Sequence, residues 1–322
     1  MSKRFLEILV LAILLTVTLG LLTHYWTSIP FKETADVMTE RFTRALYLFV
    51  ILVPLFALLE RFWPSIANQS KLRRGVFVDV FYWFFTPMVI QTLSIIAIAV
   101  CLLPIYLLLG RISIENGRLI LDWHKILAGY GIVSHWPLLV QGAIAIVLGD
   151  FLGYWTHRLN HSRMLWDYHA VHHSGETIDW LSAVRLHPVN DVLARVLTAS
   201  PVVLLGFSPI AVEGYIPFLS AYIALIHANV SWDYGPFRYI VASPVFHRWH
   251  HTTDEAGWGK NYSGLFPIFD VIFGTFYMPA KQQPRNFGID SKMPNSFLGQ
   301  MAYPFLRWKL FGKRSNGQQA EG

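Results

Sequence analysis

The sequence predicts an all-α protein: a polytopic membrane helical bundle with a cytosolic, histidine-rich metal-binding cap. Three observations predict it. Apolar residues make up 54% of the 322 residues and charged ones only 14%, a balance typical of chains buried in lipid rather than of soluble domains. The apolar residues fall in stretches long enough to cross a bilayer. Eight of the 13 histidines crowd into three windows: His157-Arg-Leu-Asn-His161, His169-Ala-Val-His172-His173 and His247-Arg-Trp-His250-His251.

In chain order, residues 5–23 form a near-continuous apolar run behind Lys3 and Arg4. At about 1.5 Å per residue the run reaches about 28 Å, the thickness of the hydrocarbon layer. A signal peptide is the alternative, but the run is long for one and no clear small-residue cleavage site follows. A second span is expected from about residue 45 to 62. A third lies within 76–109, long enough to tilt or to break near Pro87 or Pro104. The fourth covers about 137–155 and leads into the first histidine window. Residues 192–226 are apolar but interrupted by Pro201, Gly206, Pro209, Gly214 and Pro217. They read as a helical hairpin, spanning or re-entrant. The segment beyond Gly235 is less apolar and reads as a cap returning the third window to the first two. The chain end from Lys313 is expected to be disordered.

Charge sets the expected orientation. With the N-terminus in the cytoplasm, the outer segments 24–44 and 110–136 carry six of the 26 Lys and Arg, and the other 20 lie inside, as the positive-inside bias requires. The three histidine windows then face the cytoplasm, provided the 192–226 hairpin returns to the same side. The net charge of +6 is therefore assigned to the membrane rather than to nucleic acid. The lone cysteine, Cys101, lies in an apolar run and supplies no disulfide framework or thiolate site.

Imidazole binds metals as a neutral base near neutral pH, and eight suffice for two ions. On a helix, positions i, i+3 and i+4 share a face, so each triplet is expected to converge on one point, and His157 and His161 likewise. Nitrogen-only sites suit zinc, copper, nickel or iron. Eight histidines exceed one structural zinc. The Glu-x-x-His motif of carboxylate-bridged di-iron bundles is absent, and the triplets would crowd a haem.

The ordered set H-x3-H, H-x2-H-H, H-x2-H-H on a polytopic chain resembles the fatty acid hydroxylase / sterol desaturase superfamily. Further matches are Arg185-Leu-His187-Pro188, His227-Ala-Asn229, Ser243-Pro-Val-Phe-His-Arg-Trp-His-His-Thr252, Asn261-Tyr262, and Phe269-Asp270-x-x-Phe-Gly-Thr275, where Phe269 replaces the family's usual Trp. The resemblance covers about 145–280. It divides the chain into N-terminal transmembrane spans (1–135), a hydroxylase/desaturase-like di-iron domain (136–280) and a cytosolic C-terminal tail (281–322).

The resemblance implies a non-haem centre of two iron ions that uses O2 and two external electrons on an unactivated lipid C–H bond. Acid–base groups cannot polarise such a bond, so the metal must carry the oxidising power. The implied metal residues are His157, His161, His169, His172, His173, His247, His250 and His251, with His187 and His227 as ninth and tenth. For His187, capping beside Pro188 competes with ligation. For His227 the alternative is a buried histidine at a helix end. His24, His124 and His135 fall on the outer side and are unrelated. Asp167, Glu176, Asp179, Asp191 and Asp254 either orient imidazoles or are solvated loop acids. Arg158, Arg163 and Arg248 meet lipid phosphates or follow the positive-inside bias.

The first functional expectation is a membrane oxygenase that hydroxylates a fatty acyl, sterol or polar lipid. A desaturase with the same centre is the alternative, and a histidine-rich metal transporter is a remote one, because the spans before Trp155 carry almost no ionisable path. A His-Glu-x-x-His peptidase box is absent. The electron donor is expected to be external, of cytochrome b5, ferredoxin or reductase type: the sequence has no His-Pro-Gly-Gly box, cysteine cluster or Gly-x-Gly-x-x-Gly fingerprint. A bacterial inner membrane is favoured over the endoplasmic reticulum.

Overall fold

A computed structural model describes residues 34–310. The expected span at 5–23, His24 and the chain end beyond residue 310 lie outside the described residues. Helix α1 (Thr34–Phe62) is followed by α2 (Val76–Phe85), a π-turn (Thr86–Ile90) and α3 (Gln91–Leu108). An antiparallel hairpin follows, β1 (Ile112–Glu115) and β2 (Arg118–Leu121), with Ile112 opposite Leu121. The short α4 (Trp123–Ala128) leads to α5 (Leu138–Asn160) and α6 (Trp166–His173). Helix α7 (Pro188–Leu204) pairs with α8 (Pro209–Gly214) and α9 (Ile216–His227). Three short helices complete the cap: α10 (Pro244–His250), α11 (Ile268–Ile272) and α12 (Phe297–Leu310).

Among the described residues four helical segments are long and apolar enough to cross a membrane: Asp36–Phe62, Val76–Leu108, Leu138–Asn160 and Pro209–His227. Their outward side chains are apolar, with Leu139 89% and Val100 65% exposed. In water that would be costly; in lipid it is the expected arrangement. The fold is thus helical and membrane-type as expected, with one departure in the β hairpin. Residues 112–115 pair with 118–121 across Asn116-Gly117, both at positive φ, which is the signature of a two-residue hairpin turn.

Two boundaries differ from expectation. Helix α1 begins at Thr34 rather than near residue 45, so Arg41 and Arg44 lie on a helix rather than in a loop. Arg41 is accommodated by Thr92 Oγ1, 2.6 Å away, and Arg44 by Glu40 one turn back. The third span breaks its α-helical pattern at Pro87, through the π-turn, and not at Pro104. A proline removes a donor and crowds the preceding turn, and the π-turn absorbs that at Pro87.

The 192–226 region is a hairpin that runs the depth of the bundle. Its turn docks on the end of α4 and the segment after it: Tyr130 N donates to Gly206 O (2.9 Å), and Ser208 Oγ donates to Leu127 O (2.5 Å). Helix α7 packs against both α3 and α5. Its start, His187, and the end of α9, His227, return to the end of the bundle where α5 finishes. A core of Leu102, Tyr106, Ile126, Val202, Phe207 and Val212 fills the far end. A second core, including Phe56, Trp180, Ile226, Trp232, Phe246 and Trp249, lies at the histidine end. His124 and His135 precede α5 and so sit at the far end from the histidine windows, as the sequence suggested.

Candidate metal centre

Each histidine window sits where a helix ends or is short. His157 lies in the last turn of α5 and His161 is its C-cap. His169, His172 and His173 fill α6. Helix α10 starts from Ser243, whose Oγ accepts from Phe246 N (3.1 Å), with Pro244 as its first residue, a favourable N-terminus. It presents His247 and His250, and its C-cap is His251. His227 ends α9. All these side chains are buried except His157, which is partly so.

They form two groups. His157, His161, His169, His173 and His250 bring one nitrogen each within 4.8 Å of one another, and His172, His227, His247 and His251 do the same. This corrects the expectation that each triplet converges on one point. In α6, His169 and His173 serve the first group and His172 the second. In α10, His247 and His251 serve the second and His250 the first. The reason is azimuth: at about 100° per residue, i and i+4 are about 40° apart, while i+3 lies about 60° away on the other side of i. Each triplet therefore faces both groups, and α6 and α10 exchange their i+3 histidines.

The contacts within the groups are between Nε2 atoms. In the first group His157–His169 is 3.1 Å, His161–His250 3.2 Å and His250–His173 3.1 Å. In the second, His172–His227 is 3.2 Å, His247–His227 3.1 Å and His251–His247 3.1 Å. The opposite nitrogens say which protons are where. Nδ1 donates from His157 to Tyr262 O (2.7 Å), from His250 to Lys260 O (2.7 Å) and from His169 to Asn190 Oδ1 (2.9 Å). It also donates from His172 to Arg185 O (3.2 Å) and from His227 to Ile223 O (2.7 Å). A neutral imidazole with Nδ1–H engaged has a bare lone pair on Nε2. Such lone pairs facing each other at 3.1 Å repel unless a cation lies between them. Metal–imidazole bonds of about 2.1 Å at right angles would set neighbouring nitrogens about 3.0 Å apart. The donor set thus fits two metal ions, and Nδ1–H to carbonyl is the usual orienting contact of a metal-bound histidine.

Burial keeps these rings neutral. It pushes His169 down to about 3, with His157 as a second cause. It holds His172, His173, His247, His250 and His251 well below the usual histidine range, reinforced by their histidine neighbours. A proton is disfavoured there because the charge would be desolvated among rings of the same kind.

The expected ninth residue, His187, is not part of either group. Its Nδ1 accepts from Val189 N (3.2 Å) as the N-cap of α7, and its Nε2 donates to Met301 O (3.2 Å). Both ring nitrogens are spoken for, so the capping reading beside Pro188 replaces ligation. His227, the other added residue, does join the second group. Of the acids proposed as imidazole acceptors, Glu176 pairs with Arg74, Asp179 with Arg73 and Asp191 with Arg195, and Asp254 accepts from Asn286; Asp167 lies 3.4 Å from Arg307. Arg248 does not reach lipid phosphate. It is fully buried, donates to Ile178 O (3.1 Å) and lies over the Phe287 ring. Arg158 reaches Tyr154 OH and stacks on Trp155.

The Asn261-Tyr262 and Asp270 motifs build the backbone that presents the acceptor carbonyls. Asn261, at φ 61°, donates to Phe246 O (2.8 Å) and Tyr277 O (2.7 Å) and accepts from Tyr277 N (2.7 Å). Asp270 accepts from Tyr262 N (2.7 Å), Ser263 N (2.9 Å) and Thr275 Oγ1 (2.6 Å). Asp150 on α5 takes Gly264, Leu265 and Phe266 N at 2.7–3.2 Å. The carbonyls of Lys260 and Tyr262 are thereby fixed toward His250 and His157. Asn190 and Asp150 had no motif to mark them, since their roles depend on backbone three-dimensionally close but distant in sequence.

Residues 142–275 match the family model for fatty acid hydroxylase. Over 176 residues the chain is 35% identical to an ornithine lipid hydroxylase of Rhizobium tropici, covering 54% of this chain and 53% of that protein. It is 36% identical over 129 residues to an alkylglycerol monooxygenase of Homo sapiens, covering 39% and 28% respectively. A very-long-chain aldehyde decarbonylase of Oryza sativa subsp. japonica is 28% identical over 187 residues, covering 51% and 29%. The chain thus spans about half the length of the first relative and under a third of the other two. No solved structure matches it.

Proposed function

We propose that this chain, whose residues 142–275 match the family model for fatty acid hydroxylase, is a membrane di-iron oxygenase that hydroxylates an unactivated C–H bond of a lipid. The observation that carries this reading is the pair of converging, neutral histidine groups at one end of an apolar bundle. Two iron ions, held by His157, His161, His169, His173 and His250 on one side and His172, His227, His247 and His251 on the other, would supply O2 activation. Overall, R–H, O2, two electrons and two protons give R–OH and water.

The protein's own part is positional. Nδ1–H contacts to the Tyr262, Lys260, Arg185 and Ile223 carbonyls and to Asn190 orient His157, His250, His172, His227 and His169 with Nε2 inward. Burial keeps protons off the rings and water out. The position at the end of the spans suits a substrate drawn from the bilayer. A polar lipid is the favoured class, because the names of two relatives refer to ornithine lipid and alkylglycerol. Electrons come from a separate donor protein of cytochrome b5, ferredoxin or reductase type. A bacterial inner membrane is supported by the Rhizobium tropici relative, and the charge bias supports a cytoplasmic histidine end.

Comparative lipid mass spectrometry of aerobic cells expressing the wild type or His250→Ala tests this reading. A lipid that gains one oxygen atom only with the wild type is the expected result. A lipid that loses two hydrogens instead would move the assignment to a desaturase. Identical lipids, together with no iron in the purified wild type, would refute it.

A further inference from the structure

The segment 179–190 carries two of the orienting acceptors. Arg185 O holds His172, and Asn190 Oδ1 holds His169. What fixes this segment lies outside the family-matched residues. Asp79, fully buried on α2, accepts from Arg185 Nε (2.5 Å) and Nη2 (2.8 Å). Its Oδ2 also lies 2.7 Å from Arg73 Nη2. Arg73 reaches on to both oxygens of Asp179, each at 2.6 Å, and to Ser182 Oγ at 2.9 Å. Asp179 in turn caps the 3-10 turn Trp180–Val184 through Leu181 N and Ser182 N.

The result is a buried row, Arg185–Asp79–Arg73–Asp179, with two positive and two negative groups. Such a row has little net worth for stability but a definite geometry, and removing one member leaves a buried charge uncompensated. Gly75 completes it. Its φ is +85°, and a Cβ there would come within 2.9 Å of Arg185 Nη2. The guanidinium therefore rests where only glycine leaves room.

We propose that Asp79, Arg73 and Gly75 are positioning residues of the metal centre, holding the Arg185 backbone so that its carbonyl aims His172 into the second histidine group. This rests on the proposed function above. A span that contributes no histidine thereby governs the ring orientation of one.

The test uses the full-length protein purified in detergent: wild type, Asp79→Asn, Gly75→Ala and Val202→Ala. Gly75→Ala keeps all four charges, which covers the case in which Asp79→Asn fails to fold. Val202, in the core at the far end of the bundle, reports the effect of general destabilisation. Iron per chain is measured by elemental analysis along a chelator series, beside a thermal melt for each variant. Outer contacts of metal-bound histidines are typically worth about 10–100-fold in affinity. Asp79→Asn and Gly75→Ala should release one of two iron equivalents at roughly tenfold lower chelator than wild type, at the lower end of that range. Val202→Ala, even if melting as early, should release iron as the wild type does. Wild-type retention of iron by either folded positioning variant overturns the proposal, as does equal loss in Val202→Ala. A wild type that holds no iron at all would instead fail the reading of the histidine groups.

Discussion

His172→Ala and His173→Ala, one residue apart, are expected to strip different metal ions from the protein. His172 is one of four nitrogens in the second group and His173 one of five in the first. A four-ligand structural zinc site contributes about 10–16 kcal/mol in total, so one ligand of four is worth roughly 2.5–4 kcal/mol. At about 1.4 kcal/mol per decade this is roughly a 60- to 700-fold loss of affinity, and iron, below zinc in affinity, falls at the low end. The assay is iron per chain along a chelator series, for single and double variants. Each single variant should retain one equivalent under conditions where the wild type retains two. His172→Ala with His251→Ala, from different windows but one group, should still retain one. His172→Ala with His173→Ala, from one window but two groups, should retain none. If the same-window pair retained one equivalent and the same-group pair none, the azimuthal division of the triplets would be wrong.

Three further outcomes follow from the same geometry. His187→Asn, which keeps a capping acceptor at the start of α7, should leave iron content unchanged and shift stability by less than about 1 kcal/mol; loss of an iron equivalent would restore His187 as a ligand. Asp270→Ala leaves Tyr262 N and Ser263 N without their acceptor, at about 1–3 kcal/mol for each unsatisfied group, so the melting temperature should fall sharply; an unchanged melt would contradict the role given to this loop. Metal-stripped protein should lose stability as pH falls. His169 titrates near 6.5 when unfolded and is held to about 3 in the fold, so the unfolded chain binds more protons throughout that window and stability rises with pH across it. Each such histidine adds up to about 1.4 kcal/mol per pH unit, and denaturant titrations between pH 7 and 4 should show a slope of more than one proton. A flat profile would mean that the rings are not held neutral.

The spans were legible because lipid demands long apolar runs, and the histidine windows because their density has no structural explanation. What the windows did beyond meeting was harder to see. Spacing i, i+3, i+4 says that three rings share a face, but only the presence of a second centre beside the first turns the 100° between His172 and His173 into a division of labour. His187 shared a motif with the ligands, yet the proline after it made a helix start and claimed its Nδ1. Arg73 looked like one more inside-positive charge beside Lys71 and Arg74. Its burial against Asp79 and Asp179 depends on partners six and 106 positions away, and no local pattern carries that. The carbonyl acceptors are invisible in principle, since every residue has one.

The exchange of histidines between α6 and α10 also dictates when the centre can be built. The first group lacks His250, and the second lacks His227, His247 and His251, until the chain has been synthesised past residue 251. The groups close only once the hairpin of α7 to α9 has also entered the bundle and brought His227 back to the other histidines. Neither histidine group is complete at any earlier stage, so any metal ion they take would be loaded after membrane insertion, and a chain stalled within the hairpin would offer only incomplete ligand sets.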